Sequence, residues 1–307
     1  MNFDITILGN NSAMPTSNRF PTAQYVNVRQ RHILLDCGEG TQMQLRKFRL
    51  PINKINHICI THLHGDHYFG LIGLISTLTL LKRKGDLHIY SHSELQTLLK
   101  PQLDYLKEDL TFRIVFHPIN FKKPQLVWED KAIEIISFPM KHRISCCGFK
   151  IIEKKRPDNI KKEMIKIHDI PLKEIPAIKS GADFTTETGR VIPNSRLVTA
   201  APKPRSYVFC GDTAYTETIL PTIEGCNLLY HEATFTEELA GMAKLTYHST
   251  AKQAATIAAK ANVDKLIIGH FSARYHSTTP ILKEAQQHFK NTEEATEGKC
   301  FSIAIKK

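Results

Sequence analysis

Thr61-His62-Leu63-His64-Gly65-Asp66-His67 is the stretch on which the reading of this chain turns. It follows the apolar run His57-Ile58-Cys59-Ile60 and precedes an amphipathic segment that begins near Tyr68. Three histidines and an aspartate therefore fall at the junction of an expected strand and an expected helix. Side chains two apart on an extended segment share a face, so His62 and His64 are placed to grip one ion. Asp66 and His67 sit where the chain turns into the helix and point toward a second ion beside it. Imidazole nitrogen and carboxylate oxygen suit zinc, or else manganese or iron, better than calcium or magnesium. A histidine-rich surface turn is the plain alternative; four more candidate residues in matching contexts downstream weigh against it.

Those four share a position. His142 follows Ile135-Ile136-Ser137-Phe138-Pro139-Met140, and Asp212 follows Ser206-Tyr207-Val208-Phe209-Cys210-Gly211. His231 follows Leu228-Leu229-Tyr230, and His270 follows Leu266-Ile267-Ile268-Gly269. Each lies just past an apolar run read as a strand, where α/β folds build their sites. Counting donors, His62, His64 and His142 hold one metal, Asp66, His67 and His270 the other, and Asp212 bridges the two with its two oxygens. A shared water fits between them, and zinc lowers the pKa of such a water from about 15.7 to about 7. Two ions roughly 3.5–4 Å apart suit in-line attack on a phosphodiester. The residues thus read as a dinuclear hydrolase.

The 307 residues, 42% hydrophobic and 23% charged, allow one large or two small globular domains. Met1-Asn2-Phe3-Asp4-Ile5 runs straight into an apolar strand without a basic, signal-type start. The longest apolar run, Leu71 to Leu81, carries Ser and Thr and is too short to span a bilayer. A soluble, cytoplasmic protein is expected. The seven cysteines are scattered without a CxxC pair and read as small buried hydrophobes in a reducing compartment. Lys and Arg total 41 against 30 Asp and Glu, a formal charge of +11. Such a field favours polyanions through steering and counterion release.

Strand-like runs recur along the chain, among them Phe3–Leu8, Gln24–Val28, His32–Leu35, Leu87–Tyr90, Phe112–Phe116, Gly148–Ile152 and Phe301–Ile305. Helical patterns are read at Gly40–Phe48, Tyr68–Leu81, Glu94–Leu99, Thr250–Lys260 and Thr279–Phe289. In Thr250–Lys260, alanines repeat at helical spacing behind Ser249, read as the N-cap. Early hairpins followed by strand–helix alternation fit an α/β protein with mixed sheets. From Glu153 to about Pro204 the pattern changes to lysines, prolines and little continuous apolar sequence. This segment reads as an arm inserted into a single domain, or else as a solvated, partly helical loop.

The HxHxDH core with His142, Asp212 and His270 resembles the metallo-β-lactamase superfamily, which implies an αββα four-layer sandwich. That motif is nearly silent on substrate. Leu34-Leu35-Asp36-Cys37-Gly38-Glu39-Gly40-Thr41-Gln42, His231-Glu232-Ala233-Thr234, His248-Ser249-Thr250 and Gly269-His270-Phe271-Ser272-Ala273-Arg274-Tyr275 together look like ribonuclease Z, in its short form. The resemblance implies an endoribonuclease that removes 3′ trailers from precursor tRNA. It also implies two zinc ions held by the seven residues counted above, with Asp66 assisting as general base and His248 protonating the leaving 3′ oxygen. Attack by a metal-activated hydroxide leaves a 3′-OH on the tRNA and a 5′-phosphate on the trailer.

Glu232 and His231 are expected to orient His248 or a ligand. Asp36 is read as accepting the second N–H of a ligand histidine, or as a turn-forming aspartate. Arg274 is either a clamp on a phosphate oxygen or half of a surface ion pair. The resemblance further implies a homodimer in which each arm serves the opposite subunit's site. Two segments depart from the family pattern. Asp169-Ile170-Pro171-Leu172-Lys173-Glu174 lacks the arm's usual Gly-Pro pair, and the loop from Met14 to Phe20 has Ser17 and Phe20 where Lys and Asn are usual. The competing reading of the residues is a small-molecule phosphodiester, lactone or sulfate-ester hydrolase of the same fold. A non-catalytic RNA-binding relative fits the intact set of candidate ligands poorly.

Overall fold

The computed structural model describes residues 2–14 and 16–306, so Met1 and Pro15 of the segments read above lie outside it. The larger of two compact units runs through Ile152 and again from Arg205 to Ile303. Its first strands are β1 (Phe3–Gly9), β2 (Ala23–Val28), β3 (Arg31–Leu35), β4 (Ile55–Cys59), β5 (Leu87–Ser91) and β6 (Ile114–Pro118). Next come β7 (Gln125–Glu129), β8 (Ile133–Met140) and β9 (Cys146–Glu153). Four short strands, β10 (Asn159–Ile160), β11 (Phe184–Thr185), β12 (Val191–Ile192) and β13 (Val198–Thr199), belong to the smaller unit. The chain then returns to the larger unit with β14 (Ser206–Cys210), β15 (Leu228–Glu232), β16 (Leu266–Gly269), β17 (Thr292–Glu294) and β18 (Cys300–Ser302).

Two seven-stranded sheets result, ordered β18-β1-β2-β3-β4-β5-β6 and β17-β16-β15-β14-β9-β8-β7. In each, a meander of antiparallel strands gives way to parallel pairs: β3 with β4 and β5, and β14 with β15 and β16. The period-2 alternation of the strands explains the layering. Ile5, Ile7, Val26, Ile33 and Cys59 of the first sheet meet Ile135, Phe149, Tyr207, Phe209 and Tyr230 of the second in one buried cluster. The opposite face of the first sheet packs on Leu71, Leu74 and Leu78 of the helix Leu71–Leu80. The opposite face of the second packs on the alanine-rich helix Ala251–Lys260 and on Thr279–His288. This is the four-layer αββα sandwich expected from the motif.

Several local expectations give way. The helix read as Tyr68–Leu81 is two, Gly65–Tyr68 and Leu71–Leu80. The break at Gly70 seats the chain against Gly38, where a Cβ would stand 2.0 Å from the Gly38 carbonyl oxygen. The helix expected to stop at Leu99 continues to Leu106 through Pro101, because Leu95, Leu99 and Leu103 go on packing against the first sheet. That packing offsets the roughly 3 kcal/mol cost of an interior proline. Thr250, not Ser249, caps Ala251–Lys260: its side chain accepts from the Gln253 N–H in a capping box. Ser249 instead donates to the Thr213 carbonyl at 2.7 Å. Of the seven cysteines, read together as core residues, six are buried and Cys300 is exposed.

The smaller unit, Glu153–Pro204 with the residues from Ala304, has a core of its own. Ile170, Ile178, Phe184, Ile192, Leu197 and Val198 are buried together beneath the β10–β13 and β11–β12 ladders and the helices Lys162–Ile167 and Ile175–Lys179. Its apolar residues are spaced singly, so no continuous pattern marks them in the sequence. Among the described residues no helix is long and apolar enough to cross a membrane.

Candidate metal centre

Each strand end carries its side chain into one place. His62 and His64 lie on the loop leaving β4, with His64 still extended (φ −76°, ψ 144°) as the residue before helix Gly65–Tyr68. That helix supplies Asp66 and His67. His142 follows β8, Asp212 follows β14 and His270 follows β16. His62, His64, His142 and Asp212 form one group of converging donor atoms, and Asp66, His67, Asp212 and His270 form another.

Asp212 belongs to both. Its Oδ2 lies 3.7 Å from His62 Nε2 and 3.8 Å from His142 Nε2. Its Oδ1 lies 3.4 Å from His67 Nε2 and 3.1 Å from His270 Nε2. In the first group, His64 Nδ1 stands 2.9 Å from His62 Nε2 and 3.2 Å from His142 Nε2. In the second, Asp66 Oδ2 is 3.2 Å from His67 Nε2 and 3.5 Å from His270 Nε2.

These donors fit a metal cofactor on physical grounds. Asp66 Oδ2, His67 Nε2, Asp212 Oδ1 and His270 Nε2 are buried and have no hydrogen-bond partner. Leaving such atoms unpaired costs on the order of 1–3 kcal/mol each, a cost that a shared cation removes. Three imidazole nitrogens crowd the first group with too few protons to pair them all. The field agrees. Burial alone would lower the His67 pKa, yet Asp66, Asp212 and Asp36 around it raise it well above the ordinary value. Burial pushes the Asp212 carboxyl up, but His270 and His67 overcome it and hold the group well below the usual carboxylate range.

The outward nitrogens of the candidate ligand histidines are held as well. His67 Nδ1 pairs with Asp36 Oδ2 at 2.7 Å, and Asp36 accepts from the Thr61 N–H and hydroxyl at 2.8 and 3.0 Å. His62 Nδ1 meets the Thr61 hydroxyl at 3.0 Å, and His270 Nδ1 the Thr234 hydroxyl at 3.0 Å. His142 Nδ1 donates to the Tyr247 carbonyl at 3.0 Å. Such partners fix ring orientation and tautomer. Asp36, Tyr247 and His270 all have left-handed backbone (φ 55°, 60° and 59°), a strain that clusters at functional sites.

His248 stands beside both groups, its ring 5.3 Å from those of His142 and His270. Glu232 Oε1 receives its Nδ1 proton at 2.9 Å. Burial works against a charge on His248, but the Glu232 carboxylate prevails and raises its pKa to about 9. His231 is not past its strand but inside β15, buried, with Nδ1 on the Glu232 carbonyl at 2.7 Å. Arg274 is exposed on the loop beyond His270. Thr61, Thr234 and the Tyr247 carbonyl escaped the sequence reading. The two threonines flank motif residues, the only signal that could have flagged them; a carbonyl carries none.

Comparison with known proteins identifies the relatives of this chain. Residues 3–157 match a family model described as Anti-Pycsar protein Apyc1, which ends before Asp212, His248 and His270. Ribonuclease Z of Parabacteroides distasonis is 48% identical over 301 residues, covering 98% of this chain and 99% of that protein. Ribonuclease Z of Bacteroides fragilis is 46% identical over 301 residues with the same coverage. The crystal structure of human tRNase Z, short form, superposes with a TM-score of 0.72 at 26% identity, covering 98% of this chain and all of that one. With full-length identity at this level and the paired His/Asp groups in place, the chain belongs to the ribonuclease Z family.

Proposed function

We propose that this protein is the endoribonuclease that removes the 3′ trailer from precursor tRNA. One observation carries the reading: two donor groups share Asp212 beside a glutamate-held histidine, within a chain of the ribonuclease Z family. The charge of +11 suits a polyanionic substrate.

His62, His64, His142 and Asp212 would hold one zinc ion, and Asp66, His67, His270 and Asp212 a second, with manganese or iron accepted by the same donors. Bound there, the ions supply a water of lowered pKa and stabilise charge on the phosphate oxygens. Asp66 takes a proton from the attacking water. His248, oriented through Nδ1 by Glu232, gives a proton from Nε2 to the leaving 3′ oxygen, an effect worth on the order of 10²–10⁴ in rate. The tRNA keeps a 3′-OH and the trailer a 5′-phosphate.

Arg274 contacts a substrate phosphate from the loop after His270. The Glu153–Pro204 segment, with Lys154, Lys155, Lys161, Lys162 and Lys166, is the arm that grips tRNA. The enzyme works in the cytoplasm as a homodimer.

Cleavage of a precursor tRNA with end-group analysis tests the reading, with wild type compared to Asp66→Ala and His248→Ala. Both variants lose activity if it is right. A 2′,3′-cyclic phosphate product, or undiminished cleavage by Asp66→Ala, overturns it.

A further inference from the structure

A groove of about 530 Å³ opens beside the metal centre, and His142 lines both. Arg143 also borders the groove and reaches back to the centre, its Nη2 3.3 Å from His64 Nε2. Among the residues lining the groove, the half-buried Phe121 ring lies against His92, centroids 5.3 Å apart, and the exposed Lys122 is its neighbour in the chain. Among the described residues that line it there is no carboxylate. An aromatic face, two cations and direct continuity with the metal centre are the ingredients of a subsite for unpaired nucleic acid.

A second groove borders His248 and shares no lining residue with the first. This separation orders the substrate. His248 protonates the 3′ oxygen that stays with the tRNA, so the tRNA terminus belongs beside His248. The trailer keeps the phosphate and must leave the centre by another route, and the groove beside His142 and Arg143 provides one.

We propose that the His92–Phe121–Lys122–Arg143 groove binds the first nucleotide of the trailer, its base stacked on Phe121 and its phosphates facing Arg143 and Lys122. The proposal rests on the tRNA-processing reading above. An unpaired base can be stacked whatever its identity, because every base has a π face. The groove therefore recognises that a trailer exists without reading its sequence.

The test is a cycle of four cleavage measurements. Wild type and Phe121→Leu each act on a precursor tRNA with either an ordinary nucleotide or an abasic residue at the first trailer position. Removing the base or the ring should each raise KM roughly tenfold or more, with kcat much less affected. Removing both should add little beyond either one, since each change abolishes the same stacking interaction. Arg143→Ala should flatten the rise of KM with salt. The abasic substrate needs no altered protein, so a folding defect in the variant cannot mimic the result. Equal KM for the two substrates with wild type, or independent effects of base and ring, overturns the subsite while leaving the processing activity standing. Failure of wild type to cleave either precursor overturns the activity itself.

Discussion

Glu232 Oε1 holds His248 Nδ1 at 2.9 Å and is in turn held by the Thr213 N–H at 3.0 Å. Its other oxygen accepts from the Thr234 N–H at 3.1 Å and hydroxyl at 2.6 Å. A fully buried carboxylate so surrounded by donors can neither rotate nor take up a proton cheaply. His248 is therefore held through Nδ1, which leaves Nε2 for the proton transfer proposed above.

Glu232→Gln places an amide N–H against the donors of Thr213, Thr234 or His248, so precursor cleavage should slow by roughly 10–100-fold. His248→Ala should slow it by on the order of 10²–10⁴. Combined, the two changes should cost little more than His248→Ala alone, because Glu232 acts through that ring. Single-turnover rates at saturating precursor measure this; multiplicative losses would show that Glu232 has some other role.

Asp36 offers a prediction about metal affinity. Its 2.7 Å bond to His67 Nδ1 presents Nε2 to the second donor group. Asp36→Asn weakens that bond and should lower affinity for zinc by roughly 10–100-fold. Chelator competition monitored by metal release reads the change without any substrate. Retention of wild-type affinity would limit Asp36 to its hydrogen bonds with Thr61.

The lysines from Lys154 to Lys166 are expected to act on tRNA and not on chemistry. Replacing them with alanine should weaken precursor binding and shrink the salt slope by about 0.7–0.9 for each phosphate that is no longer neutralised. Hydrolysis of a small phosphodiester should fall far less. Equal losses on both substrates would argue that the replacements disturb the fold and not the grip on tRNA.

How far the sequence alone reveals this site depends on which atoms do the work. His62, His64, Asp66, His67, His142, Asp212 and His270 stand out because side-chain chemistry sits at the ends of apolar runs, and the fold draws them into two adjoining groups. The contacts that aim them are backbone and hydroxyl groups, such as the Tyr247 carbonyl behind His142, which no residue type announces. β7 escapes the sequence for another reason. As the edge of its sheet, Gln125–Glu129 is only half covered, so its apolar alternation is too diluted to register. His231 looks like a residue past a strand because β15 runs on through two polar residues, His231 and Glu232, both buried. Burial in the centre of a sheet overrides what polarity alone suggests.

Acid should destabilise the protein through a histidine far from the reaction. His57, on β4, faces the inter-sheet space, with the Trp128 ring 4.1 Å away, the His88 ring 5.5 Å away and Tyr90 Oη 3.3 Å from Nδ1. Burial first, and then the neighbouring His88 and His117, push its pKa from 6.5 down to about 4. The unfolded chain therefore binds a proton at His57 more readily than the native one does. The stability this group contributes is complete above about pH 6.5 and is lost as pH falls through that window toward 4. Integrated over the window the loss is about 3 kcal/mol. His57→Phe keeps a ring between Trp128 and His88 but cannot titrate. Urea unfolding at pH 7 and pH 4.5 should show a clearly smaller drop in stability for His57→Phe than for wild type. If the two proteins lose stability in parallel, acid sensitivity originates elsewhere, and His57 is a packing group only.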